Sequence, residues 1–237
     1  MPALCQYTRL PLLKAWMGHM IILEAETPPA VTSVSSLFAI VSKFYRNRIS
    51  FAQTEHHIAK ISSAHHAFAV SSGMAALDVM TRILKPGDEV VAGDDLYGGT
   101  NRLLVYLKVH TGVIVHHVDT TDPKAIIPWL SSKTTMVLLE SPTNPLLKIA
   151  DLAQIACDVK ERAPNAIVVV DNTMMSPYLQ RPLEHGADLV YDSGTKYLSG
   201  HHDLMAGIIT CNRDDLAKVT SVVTRHSYSV TEIDFST

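Results

Sequence analysis

The sequence has no marked excess of charge of either sign, and this excludes one class of partner. Its 237 residues carry a formal net charge of −3. A nucleic-acid-binding face needs clustered positive charge, so we expect no nucleic-acid partner. The chain also lacks an apolar run of about 18 residues, the length that a membrane-spanning helix requires. We therefore expect no membrane partner.

Cysteine is scarce, and the three that occur, Cys5, Cys157 and Cys211, lie far apart in the sequence. An odd number of dispersed cysteines is typical of reduced thiols, so we predict a cytoplasmic protein. The twelve histidines include four adjacent pairs but no His-x-x-x-His spacing. Because neighbouring residues of a strand point to opposite faces, such pairs cannot share a metal ion. The sequence therefore predicts no metal site.

From about residue 53 onward, apolar runs alternate regularly with amphipathic segments. Helices are predicted over residues 53–63, 75–84, 101–110, 123–130 and 149–162, and strands over residues 66–70, 89–92, 113–118, 135–140, 166–170, 189–191 and 206–211. Continuous Val and Ile runs that alternate with helices are typical of a parallel sheet covered on both faces. We therefore predict an α/β fold with one mostly parallel seven-stranded sheet.

Polar clusters follow several of the predicted strands, and ligands of parallel α/β sheets bind at the carboxyl ends of strands. Residues 71–74 precede a helix, so their backbone N–H groups could hold a phosphate, although they could also form a plain turn. Two glycines follow Tyr97 and would let a flat ligand approach the backbone, unless this segment is an ordinary loop. Asn144 lies between two prolines, where its amide could reach a ring hydroxyl or serve turn chemistry alone.

Two charged residues follow buried runs later in the chain. Asp171 ends a run of three valines, and a carboxylate there is costly to bury without a partner. A protonated heterocyclic nitrogen would be such a partner, while a helix N-cap is the alternative. Lys196 follows an apolar run and a small polar turn, so we expect desolvation to disfavour its ammonium and leave an amine that attacks a carbonyl. The alternative is a surface lysine in a loop.

Six motifs, in order, resemble those of the Cys/Met-metabolism group of pyridoxal-phosphate enzymes: residues 71–76, 95–100, 141–145, 170–173, 176–180 and 193–197. The resemblance covers about residues 55–210, and within the group it is strongest to fungal-type cystathionine β-lyases. Cystathionine γ-synthase and γ-lyase are close relatives. The resemblance implies an aspartate-aminotransferase-like large domain with pyridoxal 5′-phosphate as its cofactor.

The same resemblance implies individual roles in the site. Lys196 would hold the cofactor aldehyde as a Schiff base and shuttle protons, and Tyr97 would stack on the ring as the second catalytic residue. Asp171 would pair with the ring nitrogen, and Asn144 would hydrogen-bond the phenolic oxygen. The remaining cofactor-binding residues that the resemblance implies are Gly73, Met74, Thr173, Ser193 and Thr195.

The implied reaction is β-elimination of cystathionine to homocysteine, pyruvate and ammonia, in transsulfuration and methionine biosynthesis, by a homo-oligomer. The residues do not separate β- from γ-chemistry, so γ-synthase and γ-lyase stay open. A non-catalytic remnant that binds cofactor, or a partner subunit, is a further alternative.

Both ends of the sequence depart from the family pattern. We expect a divergent N-terminal segment over residues 1–52, the cofactor-binding large domain over residues 53–212 and a divergent tail over residues 213–237. Tyr45 and Arg46 are spaced differently from the family's upstream Tyr and Arg, so neither is assigned. The family's C-terminal small domain, with its substrate-carboxylate arginine, is expected to be missing, which predicts a truncated chain or a faulty gene model.

Overall fold

The computed structural model describes residues 49–201 and 203–224. The strands are β1 (His66–Val70), β2 (Glu89–Gly93), β3 (Ile114–Val118), β4 (Thr134–Glu140), β5 (Ile167–Asp171), β6 (Leu189–Ser193) and β7 (Gly207–Cys211). The α-helices are α1 (Ile49–Ile61), α2 (Gly73–Thr81), α3 (Gly98–His110), α4 (Pro123–Ile126), α5 (Leu152–Arg162), α6 (Ser176–Leu179) and α7 (Asp214–Val223). Shorter turns are the 3-10 helices Ile127–Trp129 and Pro182–His185 and the π-helical turn Gly194–Leu198.

The seven strands form one sheet in the order β1-β7-β6-β5-β4-β2-β3. Strand β7 is antiparallel to both of its neighbours, and every other pairing is parallel. The predicted α/β fold with a mostly parallel seven-stranded sheet is therefore confirmed. Because β4, β5 and β6 are adjacent and parallel, the residues that follow them meet at one edge of the sheet.

Both faces of the sheet are covered, which explains why its central strands are mainly apolar. In β5, Ile167 and Val169 pack in a core cluster with residues of α2, α3 and α7. Val168 and Val170 point the other way and pack in a cluster with α5. Each such buried aliphatic side chain stabilises the fold by about 1.5–3 kcal/mol. Strand β5 is thereby held on both sides, with its polar carboxyl end at the sheet edge.

Several helix boundaries differ from those predicted, each for a local reason. Helix α5 begins at Leu152, three residues late, because the Asp151 carboxylate accepts the N–H of Gln154 at 3.0 Å as an N-cap. The helix predicted over residues 123–130 is α-helical only over Pro123–Ile126 and continues as the 3-10 helix Ile127–Trp129. This second part contains Pro128, which has no N–H to donate to an α-helical hydrogen bond. The small polar turn predicted before Lys196 is a π-helical turn, Gly194–Leu198, that includes the lysine.

Helix α7 falls in the segment predicted to be a divergent tail. Its residues Leu216 and Ala217 are buried in the same cluster as α2, so the first part of that segment packs on the sheet. Tyr45 and Arg46 lie outside the described residues. Within the described ranges, no helix is both long and apolar enough to cross a membrane.

Candidate active site

A cavity of about 550 Å³ lies at the carboxyl ends of β4, β5 and β6. Its volume is in the range typical of small-molecule sites. All nine site residues predicted from the sequence line it, namely Gly73, Met74, Tyr97, Asn144, Asp171, Thr173, Ser193, Thr195 and Lys196. Five segments separated along the chain thus supply one site, because parallel strands bring their carboxyl ends together.

The start of helix α2 forms one wall of the cavity. The Ser72 hydroxyl accepts the N–H of Ala75 at 3.1 Å and caps the helix. The N–H groups of Gly73 and Met74 occupy the first turn, where a helix offers no carbonyl partner and its dipole favours an anion. A Cβ on Gly73 would lie 2.9 Å from the Cβ of Ser193. Glycine at this position therefore lets the helix start approach the Ser193 hydroxyl.

A chain of hydrogen bonds connects the ends of β5 and β6. The N–H of Ser193 donates to the Thr173 hydroxyl at 2.9 Å, and the N–H of Thr173 donates to Asp171 Oδ1 at 2.9 Å. Farther on, the N–H of Ala206 donates to the Thr195 hydroxyl at 3.3 Å. The Ser193 hydroxyl has no hydrogen-bond partner among the described residues. These contacts place an anion-binding end and a carboxylate end in one cavity.

Asp171 is a buried carboxylate, only 8% exposed. Burial raises the pKa of Asp171, and the hydrogen bonds from Thr173 partly oppose that rise. The N-cap alternative is wrong, because the next helix begins five residues later with Met175 at its cap. No Lys, Arg or His of the described part forms a salt bridge with Asp171. A protonated ring nitrogen would supply the missing cation.

Lys196 lies in the π-helical turn, where its backbone leaves the helical region at φ −90° and ψ −119°. Its side chain lines the cavity but is exposed, so the expectation of a desolvated amine is wrong. Strand β6 ends at Ser193, and the turn carries the lysine beyond the buried strand to the open side of the cavity. In the described part of the chain, its ammonium forms no salt bridge, which leaves it available to a ligand.

Tyr97 precedes helix α3 and is held by its backbone. Its N–H donates to Glu140 Oε2 at 2.8 Å, and its ring borders the cavity. A Cβ on Gly99 would lie 2.5 Å from Tyr97 Cε1 and 2.9 Å from Met74 Sδ. The space left by this glycine is therefore filled by side chains of the protein, rather than by a ligand as the sequence suggested.

Asn144 lies beyond β4 in a segment with two cis peptide bonds, Ser141–Pro142 and Asn144–Pro145. It is exposed and lines the cavity. Its side-chain amide makes no hydrogen bond within the described ranges, so it does not take the turn-stabilising role considered as the alternative. The amide is free to contact a ligand.

Sequence reasoning missed Glu140, the last residue of β4. It is buried, and burial followed by the nearby charge of Asp171 raises the pKa of Glu140 to about 7. The signal was present, because Glu140 ends an apolar strand just as Asp171 does. The other lining residues that were not predicted are Ser72, Thr100, Met174, Tyr191, Tyr197, Gly200 and Met205.

As pH rises, we expect the free energy of unfolding to fall less steeply in Glu140→Gln than in the parent protein. The folded state keeps a proton on Glu140 up to about pH 7, whereas an ordinary glutamate loses it near pH 4.5. The free energy of unfolding should therefore fall across this window, by at most about 1.4 kcal/mol per pH unit for one group. Urea unfolding at several pH values measures the slope. Glu161→Gln, exposed on α5, is the control, and equal slopes in all three proteins would contradict the prediction.

The donor set fits pyridoxal 5′-phosphate. Free N–H groups and a hydroxyl suit its phosphate, the unpaired Asp171 suits its ring nitrogen, and Lys196 supplies an amine in the same cavity. The phosphate end is the stronger part of this match, because Gly73 allows the helix start and Ser193 to meet.

Comparisons with known proteins agree with this chemistry. The chain is 64% identical over 162 residues to cystathionine beta-lyase of Neurospora crassa and 49% identical over 162 residues to that of Schizosaccharomyces pombe. Each match covers 68% of this chain, which spans 35% and 42% of those relatives. A crystal structure of cystathionine gamma-lyase from Lactobacillus plantarum complexed with L-serine matches 71% of this chain and 44% of its own, with 36% identity and a TM-score of 0.69.

The model of one protein family matches residues 45–232 and is described as Cys/Met metabolism PLP-dependent enzyme. This match extends past both ends of the resemblance seen in the motifs, and it includes helix α7. With most of the chain matched and the cavity lined by groups suited to the cofactor, the chain belongs to the Cys/Met metabolism family of pyridoxal-phosphate-dependent enzymes.

Proposed function

We propose that residues 53–212 are the cofactor-binding large domain of a carbon–sulfur lyase that cleaves cystathionine to homocysteine, pyruvate and ammonia. The observation that carries this proposal is one cavity holding an unpaired lysine and a buried, unpaired carboxylate. The similarity to the Neurospora crassa cystathionine beta-lyase supports the β-elimination reaction. The proposed cleavage of cystathionine would serve transsulfuration and methionine biosynthesis.

The proposed binding roles follow from the donors in the cavity. The N–H groups of Gly73 and Met74, with the hydroxyls of Ser193 and Thr195, would hold the phosphate. Asp171 would pair with the ring nitrogen, and Thr173 would fix the Asp171 carboxylate by its N–H. The amide of Asn144 would contact the ring hydroxyl, and the ring of Tyr97 would cover the cofactor ring.

Lys196 would carry the proton transfers of the reaction. When bound, pyridoxal phosphate supplies an aldehyde that condenses with amines and a protonated ring that accepts electrons from the substrate Cα. Lys196 Nζ would take the Cα proton, because it is the one amine that lines the cavity among the described residues. A positioned general base of this kind contributes about 10²–10⁴-fold to a rate. Its exposure leaves room for the side chain to swing between cofactor and substrate.

The purified chain, loaded with excess cofactor, tests the proposal directly. We expect a visible absorbance that borohydride bleaches and pyruvate release when cystathionine is added. Colour without pyruvate would favour a non-catalytic remnant or a partner subunit. Absence of both would refute the proposal.

Cystathionine γ-lyase activity is the second candidate, supported by the structural similarity to the Lactobacillus plantarum cystathionine gamma-lyase, and γ-synthase activity stays an alternative from the sequence. Release of cysteine and a four-carbon oxo acid from cystathionine would identify the γ-lyase reaction. Formation of cystathionine from an activated homoserine ester and cysteine would identify the synthase. The cytoplasmic location and the homo-oligomer stay predictions.

A further inference from the structure

A second, small cavity lies behind strand β6, on the face opposite the cofactor site. Tyr191 lines the cofactor cavity and Asp192 lines the small one, as expected for neighbouring residues of a strand. The small cavity has a volume of about 10 Å³. Its polar walls are formed by Ser62, Asn172, Gln180, Arg181, Asp192 and Thr210.

Three of these wall residues present buried polar atoms without a partner. Ser62 Oγ, Asp192 Oδ1 and Thr210 Oγ1 are all inaccessible to solvent and make no hydrogen bond. Their residues are 5%, 2% and 1% exposed. An unsatisfied buried polar atom costs about 1–3 kcal/mol, so three around one space point to a ligand that satisfies them. The three atoms come from the end of α1, from β6 and from β7.

The volume of the small cavity and the polar atoms around it indicate which ligand it can hold. A volume of about 10–15 Å³ holds one water molecule, which typically makes about three hydrogen bonds. The side-chain N–H groups of the other wall amides already have acceptors. Asn172 Nδ2 donates to the main-chain carbonyl of Gln180 at 2.9 Å, and Gln180 Nε2 donates to Asn172 Oδ1 at 3.0 Å and to the Ser141 carbonyl at 2.8 Å. Arg181 also lines the cavity, and its guanidinium Nε donates to the Ile61 carbonyl at 2.9 Å.

We propose that this cavity is a specific site for one buried water molecule, which bridges the Asp192 carboxyl to the hydroxyls of Ser62 and Thr210. The water connects the end of α1 to the two strands that flank the polar turn of the cofactor site. Asp192 directly precedes Ser193 in β6. The water would therefore hold β6 on the face opposite the cofactor cavity, which Ser193 lines. Burial raises the pKa of Asp192 to about 8, which agrees with a carboxyl that has no charged partner in contact.

A crystal structure of the full chain at high resolution tests the proposal. We expect a single density peak within hydrogen-bonding distance of all three oxygen atoms. Thr210→Val should remove the peak and lower Tm by about 2–4 °C, the shift for one lost hydrogen bond in a domain of this size. Thr210→Ser keeps the hydroxyl and should keep the peak. Loss of the peak in both variants, or a cavity empty in the parent protein, would overturn the proposal.

A monovalent cation is the competing occupant, and salt identity separates it from water. We expect the parent protein to have the same Tm in sodium, potassium and tetramethylammonium chloride at equal ionic strength. A higher Tm in sodium or potassium alone, lost in Thr210→Val, would overturn the assignment to water. Neither measurement uses the enzymatic activity, so the result does not depend on the proposed reaction.

Discussion

Replacing Lys196 by alanine is expected to lower pyruvate release from cystathionine by at least about 10³-fold and to remove the absorbance that borohydride bleaches. Lys196 supplies the one amine among the described residues that lines the cofactor cavity, and a positioned proton-transfer group is worth about 10²–10⁴ in rate. Loss of the covalent attachment point adds to this effect. The measurements are a pyruvate assay and a spectrum after excess cofactor has been removed by gel filtration.

Lys108→Ala is the matched control. Lys108 is exposed on α3, and its ammonium forms no salt bridge in the described part. Its removal should leave both the colour and the rate unchanged. The assignment of Lys196 fails if its alanine variant keeps a bleachable chromophore and turns over cystathionine at the parent rate.

Replacing Gly207 by alanine is expected to lower the free energy of unfolding by about 3 kcal/mol or more, at the upper end of the cost of overpacking. A Cβ at this position would lie 2.0 Å from the Ser72 carbonyl oxygen and 2.9 Å from the Gly73 nitrogen. Gly207 cannot move away, because β7 pairs it with Val70 of β1 on one side and with Ser193 of β6 on the other. The clash therefore falls on backbone that the sheet holds in place.

The same substitution should weaken cofactor binding, because Ser72 and Gly73 begin the helix proposed to hold the phosphate. Urea unfolding measures the first effect, and titration of the apoprotein with pyridoxal phosphate measures the second. Gly98→Ala is the control, since the nearest atom to a Cβ there is Arg102 Nη1 at 3.9 Å. Equal stability of the two variants would show that the strand accommodates a side chain at position 207.

The central strands could be predicted from the sequence because each is a run that is apolar on both faces, as in β5. Their order and direction could not, since an apolar run such as β7 carries no mark of being antiparallel to its neighbours. Residues at strand ends, such as Asp171 and Ser193, were predictable because the carboxyl ends of parallel strands meet. Glu140 carried the same signal and was overlooked.

Features that depend on contacts through space escaped prediction. Lys196 is exposed because it lies in a π-helical turn, and no pattern of neighbouring residues in the sequence predicts that turn. The place of Gly99 against the Tyr97 ring depends on how helix α3 packs. The small cavity behind β6 joins residues 62, 192 and 210, which only the folded sheet brings together.

The position of β7 also constrains the order in which the chain can fold during synthesis. Strand β1 has β7 as its one neighbour among the described strands. The paired residues His66 and Cys211 lie near opposite ends of the described sequence. A ribosome must therefore release nearly the whole sheet before its earliest strand can find a place. Such long-range closure slows folding and prolongs the exposure of strand edges until residue 211 has emerged.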